Sequence, residues 1–144
     1  MSNKPKPAEF TQAQTPRDAI KEFVEAWQNK EWLRLTLATQ RMDIAKQTVL
    51  KVAGLLGSPS PERHEVLSVT QHNGGTSRVP TFADVTVRFW WADKETDSEI
   101  DTHSTKVRIR CVCEGVNEKN EIVPMTVAQG GGWGVNMASM REVV

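Results

Sequence analysis

The sequence predicts an α+β domain in which N-terminal helices pack on one face of a strongly curved antiparallel sheet. Three features carry that assignment. Apolar residues recur with a helical period up to Leu56 and with a period of two after Pro61. Between the two regimes lies Gly57-Ser-Pro-Ser-Pro61, a helix stop followed by residues that do not resume a helix. The later strands each keep one polar face, as in an antiparallel sheet covered on one side only. A chain of 144 residues suffices for one domain with a core of its own. That domain is expected over 15–144, with helices within 15–57 and the sheet within 64–144.

Residues 1–14 hold Lys4, Pro5, Lys6 and Pro7, then a polar run with a single large apolar residue, Phe10. So little apolar surface does not offset ordering entropy, and the segment reads as a flexible arm. Thr15-Pro16-Arg17-Asp18 opens the first helix: Thr15 caps, Pro16 suits the first helical position, and Asp18 favours the positive helix end. Ile20, Phe23, Val24 and Trp27 then form an apolar stripe on an otherwise charged helix. Asn29-Lys30 interrupts it. Trp32, Leu33, Leu35 and Leu37 predict a second, shorter helix, and Ile44 to Leu56 a third.

In Phe82 to Trp91 the odd positions are Ala83, Val85, Val87, Phe89 and Trp91, while Asp84, Thr86 and Arg88 stand between them. This is a half-buried strand. Residues 106–114 repeat the pattern, with Val107, Ile109, Cys111 and Cys113 opposite Lys106, Arg108, Arg110 and Glu114. Asn117-Glu-Lys-Asn120 predicts a turn, 121–128 a strand, Gln129-Gly-Gly-Gly132 another turn, and 133–143 the last strand. A weaker strand is expected at 65–71, where the alternation is ambiguous.

Composition excludes several function classes. Eighteen basic residues balance eighteen acidic ones, so the general electrostatic case for nucleic-acid binding is absent and that partner is not expected. Mean hydropathy is -0.46 and no run approaches the ~18 apolar residues of a spanning helix, so no membrane partner is expected. The first residues lack the apolar core of a signal peptide, and two cysteines build no disulfide framework. A reducing, cytoplasmic location is the expectation.

A capped helix with an internal Trp27, two further short helices, a bent antiparallel sheet and a closing Gly131-Gly132-Trp133-Gly134-Val135 resemble the nuclear-transport-factor-2-like superfamily, in its small lumazine-binding-like and SnoaL-like branches. The resemblance covers 15–144 and implies a cone-shaped α+β roll with a pocket between helices and sheet. Enzymes of that superfamily pair a pocket Asp or His with a Tyr that stabilises an oxyanion. This chain contains no Tyr. Asp84 points off the apolar face by alternation, and His64, His72 and His103 fall near strand ends or loops, so no catalytic residue is assigned.

Metal and cofactor sites are not expected either. Asp93, Glu95, Asp97, Glu99 and Asp101 alternate, but no glycine stands where an EF-hand turn needs one, and a solvated hairpin accounts for them. Cys111 and Cys113 share a strand face with Val107 and Ile109, which makes them core fillers. Gly130-Gly131-Gly132 precedes a strand, not the Lys-Ser/Thr and helix of a phosphate loop.

One surface stands out. Lys106, Arg108 and Arg110 share a strand face, and Arg88 with Trp90 occupies the matching face of the neighbouring strand. A large aromatic on the polar side of a sheet is enriched at interfaces, and the resembling superfamily commonly dimerises there. The chain is therefore expected to be a non-enzymatic binding or assembly domain forming a homodimer through Arg88, Trp90, Arg108 and Arg110. The first alternative is a small-molecule or enzymatic pocket walled by Phe23, Trp27, Val87, Phe89 and Trp133. The second is a structural subunit of a larger particle, such as a phage virion or secretion apparatus, with the N-terminal arm joining a neighbour.

Overall fold

The computed structural model describes residues 13–39, 45–72, 81–91 and 103–143. Most of the predicted arm and the acidic run 93–101 lie outside the described residues. Three helices precede the sheet: α1 (Pro16–Gln28), α2 (Trp32–Leu37) and α3 (Ala45–Leu56). The strands are β1 (Arg63–His72), β2 (Phe82–Trp91), β3 (His103–Val116), β4 (Ile122–Pro124) and β5 (Gly132–Glu142). They form one open antiparallel sheet in the order β1-β2-β3-β4, with β5 also paired to β3. No described helix is long and apolar enough to cross a membrane.

Helix α1 starts as its residues dictate. The Asp18 N–H donates to Thr15 Oγ1 at 3.1 Å, and Pro16 occupies the first turn, where its missing N–H costs nothing. The helix ends at Asn29, and Lys30 takes a φ of 55°, which turns the chain into α2. The stripe of α1 buries Ile20, Phe23, Val24 and Trp27 against the inward residues of the sheet. Those are Ala83, Val85, Val87 and Phe89 of β2, then Val107, Ile109, Cys111 and Cys113 of β3, with Trp133 and Val135 of β5. Trp27 meets Phe89 edge-on at 6.2 Å and Trp91 at 5.8 Å. Each such ring or branched side chain contributes roughly 1.5–3 kcal/mol by leaving water.

The start of β5 is held on both sides. Cys113 and Cys111 of β3 pair with Trp133 and Val135. On the other edge the Trp133 N–H donates to the Ala13 carbonyl and the Val135 N–H to the Ala38 carbonyl, both at 2.9 Å. These bonds fix Trp133 between the segment preceding α1 and the end of α2.

Two predicted elements differ. The strand expected over 121–128 stops at Pro124, because Thr126 and Gln129 form a reciprocal cap that winds 127–129 into a 3-10 turn. Gly130 then adopts a φ of 103°, and any side chain at Gly131 would collide with the carbonyls of Met125 and Thr126. The weak alternation of β1 also has a cause. Val66 pairs with Val87 but Ser68 with Thr86, so Leu67 is the extra residue of a bulge and is 38% exposed.

Both cysteines are fully buried, Cys111 at 0% and Cys113 at 1% exposure. Burial, helped by nearby carboxylates, pushes the Cys111 thiol up to about 12 and the Cys113 thiol up to about 11. Neither forms the reactive thiolate near neutral pH. Native protein should therefore leave both thiols unlabelled by a disulfide reagent in mildly alkaline buffer and expose both in denaturant. Native labelling at the denatured rate would overturn the register of β3.

Candidate functional site

The alternation that sends odd residues of β2 inward sends Phe82, Asp84, Thr86, Arg88 and Trp90 to the opposite face. Cross-strand partners share a face, so pairing identifies what else lies there. From β1 come Arg63 opposite Trp90, Glu65 opposite Arg88 and His72 opposite Phe82. From β3 come Lys106, Arg108 and Arg110, and from β5 Arg141, opposite Arg108. No described helix covers this side; the helices pack on the inner residues.

The outer face gathers six cations: Arg63, Arg88, Lys106, Arg108, Arg110 and Arg141. Among the described residues its carboxylates are Glu65, Asp84 and, buried at the far end, Glu114. Two like-charged pairs stand directly across neighbouring strands, Arg88 facing Lys106 and Arg108 facing Arg141. Such pairs destabilise a sheet. Among the described residues, none of these four has an ion-pair partner.

Each end of β2 carries an aromatic–guanidinium stack. The Arg63 guanidinium lies over the Trp90 ring at 4.0 Å, with that of Arg88 at 6.0 Å. At the other end Arg110 lies over Phe82 at 4.3 Å while His72 stacks on the same ring at 4.7 Å. Asp84 orients this second stack by accepting from Arg110 Nε at 3.1 Å. Eight residues of strand separate Trp90 from Phe82, about 27 Å.

The predicted interface residues Arg88, Trp90, Arg108 and Arg110 are thus together on this face. Sequence reasoning missed Arg63, Arg141, Phe82 and His72. Even parity with Trp90 was a sufficient signal for Phe82. Arg63 lay behind the bulge at Leu67, and Arg141 behind a register shift in which residues 137–140 have no ladder partner on β3.

The predicted pocket residues are arranged differently. Phe23, Trp27, Val87 and Phe89 are 0–3% exposed and pack in the core. Trp133 belongs to the same core and also walls two cavities beside α1. One, of about 450 Å³, is bounded by Lys21, Glu22, Glu25, Arg34, Ala38 and Trp133. The other, of about 410 Å³, is bounded by Thr15, Val69, Thr81, Cys113, Val127 and Trp133.

In the first cavity Glu22, Glu25 and Arg34 are tied to one another, while Asp18 and Lys21 stand outside that network. Arg34 Nη2 donates to Glu22 Oε2 at 3.0 Å and to Glu25 Oε2 at 2.8 Å, and Arg34 Nε donates to Glu22 Oε1. Hydrogen bonds from Arg34 hold the Glu22 carboxyl below its usual value, which weakens it as a base. Among the described residues no histidine lines either cavity. His64, on the inner side of β1 opposite Phe89, is lowered by burial, with Glu25 pulling the other way. Among the described residues no three His, Cys, Asp or Glu side chains are grouped to hold a metal.

No family model matches the chain, and neither a known protein sequence of assigned function nor a solved structure matches it.

The Arg34 cluster and His64 predict an acid limb of stability. A lowered His64 adds stability that is complete above its usual 6.5 and lost as pH falls through its folded value. Glu22 behaves alike around a lower point: its contribution is complete above 4.5 and lost on further acidification. Arg34→Met should cost about 1–2 kcal/mol at neutral pH, since partial exposure screens the network, and should flatten the limb below 4.5. Urea unfolding over a pH series checks both; an unchanged acid limb would contradict the assignment.

Proposed function

We propose that this chain is a non-enzymatic binding or assembly domain whose working surface is the outer face of the sheet, and that its partner is anionic. The observation that carries this is the two pairs of facing cations, Arg88 with Lys106 and Arg108 with Arg141, none of which forms an ion pair among the described residues although Glu65 stands opposite Arg88. Such a face costs stability in the isolated chain. A partner that supplies negative charge turns the cost into affinity.

The homodimer expected from the sequence places this face against a second copy of itself. That arrangement sets cations against cations, so the charge pattern favours an anionic partner over self-association. The likeness to the nuclear-transport-factor-2-like superfamily belongs to the same proposal. Three helices ahead of an antiparallel sheet support it, and a cone-shaped pocket is its further implication. Glu22 and Glu25 are held by Arg34, which weakens them as bases and supports binding over catalysis at those two residues.

Heparin affinity chromatography tests the proposal. The wild type, although formally neutral, should be retained at low salt and elute as salt rises. The Arg88→Glu/Arg108→Glu double variant should flow through with an unchanged circular dichroism spectrum. Arg17→Glu/Lys21→Glu alters net charge equally on α1 and should remain retained. Flow-through of the wild type, or equal loss in both double variants, would overturn the assignment of the face.

A further inference from the structure

We infer that the anionic partner is a single strand of nucleic acid, lying across β2 and β3 with its bases stacked at the two ends of the cationic strip. This deepens the proposed function and rests on it. The general charge argument against nucleic acid fails locally. The chain is neutral, yet six of its eighteen cations converge on one face from four different strands. Electrostatic binding depends on that local density, because each neutralised phosphate releases counterions wherever the rest of the charge sits.

The aromatics distinguish a nucleic acid from an acidic protein. Protein interfaces are depleted of charge at their centres. Here the centre is charged, with Arg88, Lys106 and Arg108 at or beside the middle of β2 and β3, and the aromatics stand at the ends. Single-strand binders combine these same parts, a positive track for the backbone and rings or guanidinium planes on which bases stack. Arg63 over Trp90 and Arg110 over Phe82 provide both kinds of plane at each end. Their separation of about 27 Å spans nearly the whole of β2. An unpaired strand follows such a surface with its bases turned toward it, whereas a duplex hides its base faces inside the stack.

Charge and ring planes dominate the described residues of the face, and both act on any base. Among the described residues its accessible carboxylates are Glu65 and the half-buried Asp84, and Asp84 is engaged by Arg110. Binding should therefore be indifferent to base sequence and strongly dependent on salt.

Fluorescence anisotropy of a labelled oligothymidylate of about 12–16 nucleotides, compared with a duplex of equal length, is the test. The single strand should bind the full chain at least tenfold more tightly than the duplex. Arg108→Gln should reduce the slope of log K against log salt by about 0.7, the value of one phosphate contact on a single strand. Trp90→Ala should weaken binding roughly 5- to 150-fold, and Trp90→Phe should restore most of it. If heparin is retained but the oligonucleotide binds no better than the duplex, or Trp90→Ala binds like the wild type, the nucleic-acid inference falls while the anionic-partner proposal stands. If neither polyanion binds, both fall.

Discussion

Ten residues of β2 face ten of β3 without a break, from Phe82 opposite Val112 to Trp91 opposite His103. The uninterrupted register keeps the two-residue alternation of both strands in phase, so one face of the central hairpin is aliphatic and aromatic while the other is charged. The α1 stripe has a surface to bury against only because Val85, Val87, Phe89 and Ile109 all point the same way. A slip of one residue would send Arg88 and Arg108 into the space that Phe23 and Trp27 fill. The core and the cationic face are two consequences of one pairing.

The same register explains why a neutral chain carries a concentrated charge. The core takes almost no ionic groups, which leaves the outer face and the helices to divide them. On the helices, Glu22, Glu25 and Glu31 gather around Arg34, so that guanidinium is answered within a few ångströms. On the sheet, Arg110 is answered by Asp84, while Arg88, Lys106, Arg108 and Arg141 face one another. Stability favours the first arrangement. The second lowers stability, and a binding function gives it a reason to persist.

How much of this was legible in the sequence depended on whether a feature repeats locally. The capped start of α1, the alternation of β2 and β3, and the interior place of Cys111 and Cys113 follow from spacing alone, and the structure has each of them. Features set by pairing were not legible. The bulge at Leu67 reverses the parity of β1, so Arg63 gave no sign of meeting Trp90. Residues 137–140 break β5 in the same manner and conceal Arg141, while the Ser139 hydroxyl accepts the Arg110 N–H at 2.8 Å within that interruption. The strand expected after Glu121 failed for a local reason that was visible in principle, the Thr126–Gln129 cap. For the pocket, the aromatics of α1 and β2 were legible as apolar but not as mutually packed, which is a property of the fold as a whole.

Two surfaces compete for the function, the outer sheet face with Trp90 and the cavities walled by Trp133. Their indoles report separately, because Trp90 lies under Arg63 on the outside whereas Trp133 is 4% exposed beside α1. The most direct measurement follows the indole N–H resonances of nitrogen-15-labelled protein during titration with a heparin oligosaccharide, assigned by Trp-to-Phe variants. The Trp90 signal should move progressively, while those of Trp133 and of Trp91, bonded to Thr105 at 2.8 Å, stay in place. Movement of Trp133 with Trp90 unchanged would contradict the account and put the site in the cavities.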